Sequence, residues 1–166
     1  MISATEPDWS REKITDGCYE PGKYLLLTIR NYQRQQVKNN FISKMVSPFL
    51  VVQHRFWSAV SGADIPLNSK IGGGLMIPHP NGIVIHPDAE IGPNCLIFQQ
   101  VTIGNGLMRG LPVIEGHVDI GAGAKIIGNI RIGAHARIGA NAVVLNDVPE
   151  ASTAVGIPAT VHNKRQ

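Results

Sequence analysis

A regular six-residue spacing of aliphatic residues is the feature of this sequence that most restricts its fold. Because an α-helix repeats every 3.6 residues and a simple strand every two, neither produces such a spacing. A short strand followed by a corner does, and three such units make one triangular turn of a parallel β-helix. The positions of the series are Ile65, Ile71, Ile77, Ile83, Ile91, Ile97, Ile103, Ile114, Ile120, Ile126, Ile132, Ile138 and finally Val144.

Glycine follows the isoleucine at many of these positions, and the composition fits the same fold. The chain contains 18 glycines, only 16% charged residues and 5% aromatic residues, which suits an interior of stacked aliphatic side chains. We expect glycine to supply corner conformations that other residues resist. The glycines that follow an aliphatic position of the series are Gly72, Gly92, Gly104, Gly121, Gly133 and Gly139.

The series is interrupted twice. Eight residues run from Ile83 to Glu90 where six are expected, which indicates a small insertion after Ile83. Eleven run from Ile103 to Val113, so the segment Asn105–Pro112 should project as a loop from one corner. Insertions in repeat proteins gather on the working surface, so this loop is predicted to be functional.

The flanking segments do not share the repeat. Tyr24 to Lys38 reads as an amphipathic helix, and Ser47-Pro48 predicts the start of a second helix that runs to about Val60. These helices would cap the first turn, whereas the C-terminal tail should fold back on the last one. The sequence thus predicts an irregular and helical cap over residues 1–62, the β-helix over 63–149 with its loop at 104–113, and a tail over 150–166.

Composition and charge exclude several functions. The net charge of +3 comes from scattered cations, so nucleic acid is not an expected partner. The most apolar stretch, between Phe49 and Val60, is interrupted by polar residues, so no membrane span is expected. Cys18 and Cys95 form no metal pattern and indicate a reducing compartment. No leader peptide is recognisable, and a cytoplasmic location is predicted.

His79 is the polar residue that stands out most from the repeat. It lies between Pro78 and Pro80, in what reads as a rigid extended segment, and Asp64 lies fifteen residues before it. A carboxylate near an imidazole would orient it as a general base, but a surface histidine and a capping aspartate explain the same residues. His86 has no third partner that would complete a metal site, and His117 is expected beside the loop.

Four stretches resemble the hexapeptide-repeat acyltransferases, and among them the serine acetyltransferases and the related short exopolysaccharide acetyltransferases. The segment from Ala63 to Ile85 is similar to that family's Asp…His-x-x-Gly pattern. The run Ile120–Ile130 matches the family's sequence over the corresponding stretch nearly residue for residue. Gly156-Ile157-Pro158-Ala159 is similar to its Gly-x-Pro-Ala end, and Gln100–Asn105 to its Gln-x-Val-Thr-Leu-Gly turn. The resemblance covers residues 62–159.

This resemblance implies a left-handed parallel β-helix, assembly as a homotrimer with sites between subunits, and O-acetyl transfer from acetyl-CoA without a metal. His79 would be the general base and Asp64 its partner. The CoA groove would be lined by Asn105, Ala122 and Ala140. Arg137 is a candidate for a CoA phosphate, though a solvated corner explains it equally well, and Asn81 and Arg109 are candidates for the acceptor.

The departures from the serine enzymes affect the expected acceptor. Pro78 stands where they carry an acid, Gly110-Leu111 stands where they carry an Arg-His pair, and the loop is shorter. Losing these groups removes contacts that would hold a free amino acid. The sequence therefore favours a saccharide acceptor of exopolysaccharide or capsule synthesis over L-serine. A metalloenzyme related to γ-carbonic anhydrases and a non-catalytic scaffold are the other readings.

Overall fold

A computed structural model describes residues 2–38, 40–106 and 110–163 of the chain. A short 3-10 helix, Trp9–Glu12, precedes two α-helices, α1 (Pro21–Lys38) and α2 (Phe41–Ser61). Helix α1 begins three residues before the predicted start, because Pro21 occupies a first-turn position that needs no backbone N–H. No helix among these described residues is long and apolar enough to cross a bilayer.

The predicted start of α2 at Ser47-Pro48 is wrong. Asn40 caps this helix: its side chain accepts from Ser43 N at 2.8 Å, and Ser43 Oγ accepts from Asn40 N at 2.9 Å. This reciprocal pair satisfies two N–H groups that the first turn would leave unbonded. Pro48 therefore lies inside the helix, and the Ser47 hydroxyl donates to the Ser43 carbonyl at 2.7 Å.

Thirteen short strands follow among the described residues. They are β1 (Lys70–Ile71), β2 (Val84–Ile85), β3 (Glu90–Ile91), β4 (Leu96–Ile97), β5 (Thr102–Gly104), β6 (Val113–Ile114), β7 (Asp119–Ile120), β8 (Lys125–Ile127), β9 (Arg131–Ile132), β10 (Arg137–Ile138), β11 (Val143–Val144), β12 (Thr153–Val155) and β13 (Thr160–His162).

The strands form three sheets that the chain visits in rotation. Sheet A has the order β11-β8-β5-β2, sheet B has β1-β3-β6-β9, and sheet C has β13-β12-β10-β7-β4. Every pair is parallel except β12 with β13. Each strand thus pairs with the strand one turn further along the chain, which confirms the predicted coil of parallel sheets behind a two-helix cap.

The register between turns corrects the predicted phase. Asp64 pairs with Val84, and Ile85 pairs with Ile103. The series therefore continues through Ile85 rather than Ile83, so the predicted insertion after Ile83 is wrong. The two additional residues lie before Ile83, in the corner 78–82 that contains His79.

The core is the column of aliphatic side chains inside the three sheets. In most strands an exposed or half-buried residue precedes a buried one, as in the pairs Lys70–Ile71 and Arg137–Ile138. Small or aliphatic residues such as Ala124, Ala136 and Val118 fill the interior near the corners and are fully buried. Aliphatic stacking along the coil is the contribution that we expect to dominate stability.

Three of the glycines that follow the isoleucines serve a different purpose from the one predicted. Gly72, Gly92 and Gly121 do not have positive φ values. A Cβ at any of them would instead lie 2.6 Å from backbone atoms of the next turn. Their role is to let successive turns approach closely, whereas several of the left-handed corner residues are Asn or His.

The N-terminal segment, predicted to be irregular, is held to the coil by polar contacts. Arg30 and Glu12 form a largely buried ion pair with an Nη2–Oε1 distance of 2.9 Å. The same guanidinium donates to Ile71 O at 2.7 Å, and Glu12 Oε1 accepts from Gly74 N at 2.8 Å. This bonded network ties residues 8–12 and α1 to the first turn.

The predicted end of the coil at residue 149 is too early. Strand β12 adds to sheet C beside β10 in parallel, with Ile138 opposite Ala154. Ala154 is fully buried, so the coil continues beyond residue 149. Strand β13 then returns antiparallel along β12, which confirms that the end of the chain folds back.

A pair of histidines lies at the corner between sheets B and C, and not beside the loop as predicted. His117 and His135 have positive φ values, and their Nδ1 atoms are 2.7 Å apart. Burial, with a smaller contribution from His135, lowers the pKa of His117 below its ordinary 6.5, although Asp119 acts in the opposite direction. Two neighbouring imidazoles at this distance cannot both be charged without repulsion.

The close approach of turns can be tested by adding one methyl group. We expect Gly92→Ala to lower the free energy of unfolding by about 1–3 kcal/mol, because its Cβ would meet the backbone of Glu115. Gly104→Ala is the matched control, since no residue that the structure describes lies within 4 Å of a Cβ there. Denaturant unfolding measures both, and equal losses would contradict the proposed role of Gly92.

The histidine pair should make stability depend on pH. Because the pKa of His117 is lowered on folding, the unfolded chain binds the proton more tightly, and this contribution to stability declines as pH falls below 6.5. We therefore expect the fall in Tm between pH 7.5 and pH 5.5 to be smaller in His117→Asn. The exposed His162→Asn is the control, and an unchanged pH dependence in H117N would refute this origin.

Candidate active site

His79 occupies the corner of the first turn at which the chain passes from sheet C to sheet A, named here the C–A corner. Ile77 and Pro80 are buried, whereas Pro78 and His79 between them are exposed. The backbone bends at these two residues, so the predicted extended segment is wrong. The two additional residues of this turn push the corner outward, while the buried prolyl ring anchors it. His79 is therefore presented to solvent on a restrained segment.

The imidazole of His79 lies beside an aromatic ring. Its ring centroid is 6.4 Å from that of Phe98, with 28° between the planes. Phe98 directly follows β4, one turn further along the coil. Its ring gives the imidazole an apolar flank, which favours a defined orientation of the side chain.

Asp64 lies on the outer side of sheet A, one turn before Val84. Its backbone bonds on both sides: the N–H donates to Ile83 O at 2.8 Å, and the carbonyl accepts from Ile85 N at 3.0 Å. The side chain is exposed. Among the described residues no hydrogen bond or ion pair joins Asp64 to His79, so the predicted pairing is not present in the isolated chain, although both lie at the same end of the coil.

Three of the predicted site residues share the C–A corner on different turns. Backbone bonds connect the turns there: Gln100 N donates to Asn81 O, Gly123 N to Gln99 O, and Asn141 N to Ala122 O, at 2.8–2.9 Å. The stacked residues, from the first turn upward, are Asn81, Gln99, Ala122 and Ala140. We call these four the corner column.

The corner column begins immediately after His79, and its side chains become smaller on the later turns. Asn81 is a polar, exposed side chain, whereas Ala122 and Ala140 are small. A ligand lying along this corner could therefore approach the backbone closely on the upper turns. The column joins the candidate base to a shallow path along the coil.

Two polar residues of this region escaped the sequence analysis. Gln99 Oε1 is buried, and no described residue donates to it. Lys125 Nζ donates to Gln100 O at 2.7 Å and to Thr102 Oγ1 at 3.1 Å, which places a cation beside the column. Only the register between turns could have revealed them, since Lys125 lies 46 residues from His79.

The remaining candidates lie elsewhere. Asn105 is exposed after β5, where sheet A turns into sheet B, and thus at the opposite edge of sheet A from the corner column. Arg137 is on the outer side of sheet C with its side chain 75% exposed, and its nearest carboxylate is Asp119 at 3.9 Å. Arg109 lies outside the described residues. Within the described ranges no three His, Cys, Asp or Glu side chains converge as metal ligands would.

The chain was compared with family models, curated sequences and solved structures. No family model matches it. The serine acetyltransferase of Synechococcus elongatus is 46% identical over 105 residues, which cover 61% of this chain and 43% of that protein. The enzyme of Bacillus licheniformis is 43% identical over 127 residues, covering 75% and 56%. The chain spans about half the length of the curated relatives that it matches.

Solved serine acetyltransferases share the fold. The soybean apoenzyme superposes with a TM-score of 0.73 at 35% identity, over 86% of this chain and 57% of that one. A serine acetyltransferase solved in complex with CoA gives 0.72 at 38% identity, over 87% and 58%. These similarities confirm the predicted resemblance: over the cap and coil that they share, the chain is a relative of the serine acetyltransferases, which are hexapeptide-repeat acyltransferases.

Proposed function

We propose that this chain is an acetyl-CoA-dependent O-acetyltransferase of the serine acetyltransferase type. The observation that carries the proposal is an exposed histidine in a lengthened corner of a coil that is 46% identical to such an enzyme. The lengthened corner presents His79 beside a path of small side chains. That arrangement suits proton transfer at a bound thioester better than it suits a passive scaffold.

In the proposed mechanism His79 acts as the general base. It accepts the proton of the acceptor hydroxyl while that oxygen forms a bond to the thioester carbonyl carbon. Backbone N–H groups hold the tetrahedral oxyanion, and its collapse breaks the carbon–sulfur bond. The proton then passes from His79 to the departing thiolate. Asp64, drawn to the imidazole when the site is occupied, would orient it and stabilise its charged form.

The donor is proposed to lie against the corner column. Ala122 and Ala140 leave the backbone accessible there. Gln99 Oε1 is buried beside them without a donor among the described residues, and its side chain would turn outward to accept from a bound amide or hydroxyl. Arg137, whose guanidinium is largely solvated, is available for a phosphate. Near Asn105, no described residue lies within 4 Å of a Cβ at Gly104, so a ligand could approach closely there.

The division of these residues between two corners supports a site between copies of the chain. Asn105 and the corner column lie at opposite edges of sheet A, so a narrow groove that contacts both needs one corner from each of two neighbours. We propose a homotrimer with such sites and, from the match to the solved relatives, a left-handed coil. The division into a cap, a coil and a tail belongs to the same proposal. Acetyl-CoA use and two unpaired thiols favour the cytoplasm.

L-Serine is the acceptor that the comparisons favour over the saccharide expected from sequence. The relatives are named serine acetyltransferases, and the soybean enzyme has been solved with serine. The saccharide remains a second candidate because the exposed Pro78 stands where the serine enzymes carry an acid. An acid at that position would help to bind the ammonium group of an amino acid, and proline cannot. Asn81, exposed in the same corner, is proposed to contact the acceptor, and Arg109 keeps that proposed role from sequence alone.

The role of His79 is tested by its removal. We expect His79→Ala to lower kcat by about 10²–10⁴-fold, because the acceptor hydroxyl then loses its base. CoA release measured with a thiol reagent follows the reaction. His86→Ala, in the next corner, is the matched control and should retain activity. An unchanged rate in H79A would refute the mechanism.

The acceptor is tested by comparing kcat/KM for L-serine with that for a panel of nucleotide sugars and oligosaccharides. We expect L-serine to give the higher value, and Pro78→Asp to raise kcat/KM for L-serine by restoring an anion beside the ammonium group. A preference for a saccharide, with no gain in P78D, would overturn this assignment while leaving O-acetyl transfer in place.

A further inference from the structure

Helix α2 carries a stripe of large apolar side chains on the side that faces away from its own chain. Phe41, Met45, Phe49, Val52 and Phe56 are each 58–77% exposed. Ile42 and Val60, which are 67% and 38% exposed, continue the same side. We call these seven residues the outer face of α2.

The opposite side of the helix already packs against α1 and the coil. Its buried residues are Ser43, Leu50 and Ser61, and the half-buried Trp57 stacks on Tyr24 of α1 with ring centroids 4.4 Å apart. His54 Nε2 also contacts Ile65 O at 2.9 Å, and Ser58 donates to Ala63 O. A surface helix normally places polar residues on the side that faces away from its own core, so the apolar outer face departs from that arrangement. The outer face is therefore built for a contact that the single chain does not make.

The outer face forms one continuous stripe. At 3.6 residues per turn, its seven members fall within an arc of roughly 100°. Their exposed area is on the order of 800 Å², taking a large apolar side chain at about 150–200 Å². The largest apolar patch on a typical monomer covers about 300–600 Å², whereas each partner in a standard protein interface buries about 800 Å². The stripe thus matches a complete interface in size.

The charges around the stripe limit what can cover it. Helices α1 and α2 contain no Asp or Glu, and on α2 the cations Lys44 and Arg55 flank one edge of the outer face only. The stripe itself is uncharged. Two copies related by a symmetry axis can therefore join their apolar stripes while the cationic edges remain apart. An anionic lipid surface would instead need contact with those two cations.

We propose that the outer face of α2 is a contact surface between copies of this chain. Burial of the three phenylalanines against their counterparts supplies the association energy, and the cap thereby joins the copies next to the turn that carries His79. This proposal specifies a surface for the assembly proposed above. It does not depend on the acceptor or on acetyl transfer.

The test measures assembly by sedimentation velocity and light scattering at micromolar concentration. We expect the wild type to be oligomeric, and Phe49→Glu/Phe56→Glu to raise the dissociation constant at least about 100-fold, since it buries charge at the interface centre. Lys44→Glu/Arg55→Glu, on the cationic edge, should leave assembly intact. Leu145→Glu, which places the same charge on a 49% exposed residue far from α2, should do so too.

A second measurement does not require the charged variant to fold. In a Cys18→Ser background, Phe49→Cys should cross-link to its counterpart with a short bismaleimide, whereas Leu145→Cys should not. A monomeric wild type, assembly unaffected by F49E/F56E, or no cross-linking at position 49 would each overturn the proposal. Binding of monomers to phosphatidylglycerol vesicles that is lost in K44E/R55E would assign the face to a membrane instead.

Discussion

Backbone hydrogen bonds between successive turns determine where every functional group of this chain lies. They require the turns to approach until a Cβ at Gly72 or Gly92 would overlap the backbone of the next turn. In return, Gly72 N bonds Ile91 O and Gly92 N bonds Ile114 O, both at 2.7 Å. Each residue is thereby held above a defined partner one turn away, and residues far apart in sequence become neighbours at fixed spacing.

The candidate site follows from that regularity and from one departure from it. The corner column exists because the same corner recurs on every turn, so backbone bonds between turns stack Asn81, Ala122 and Ala140. The departure is the corner 78–82. A strand in register cannot absorb two additional residues, so they bulge at a corner, and the bulge carries His79 outward. The repetitive part supplies the path, and the irregular part supplies the reactive group.

The sequence predicted the coil, because a period of six has few structural explanations, and amphipathic and capping patterns predicted the two helices. The candidate site residues came largely from the family resemblance and remain predictions. The sequence misplaced the two-residue insertion for a specific reason. Ile83 and Ile85 are two positions apart, so both point inward in an extended segment, and either one satisfies the pattern. Only the pairing of Asp64 with Val84 decides between them. The start of α2 was missed because Ser47-Pro48 and the Asn40–Ser43 box are both acceptable starts, and the reciprocal bonds favour the earlier one.

The division of candidate residues between corners and the apolar outer face of α2 are independent observations about residues that point outward. Asn105 and the corner column lie at opposite edges of sheet A, and no described residue covers the outer face of α2. Neither could be read from the repeat, since a period reports only which residues point inward. Outward residues are determined by whatever approaches the coil from outside. A chain whose own core accounts for almost every inward residue therefore leaves its outward apolar and polar residues to be explained by neighbours and ligands.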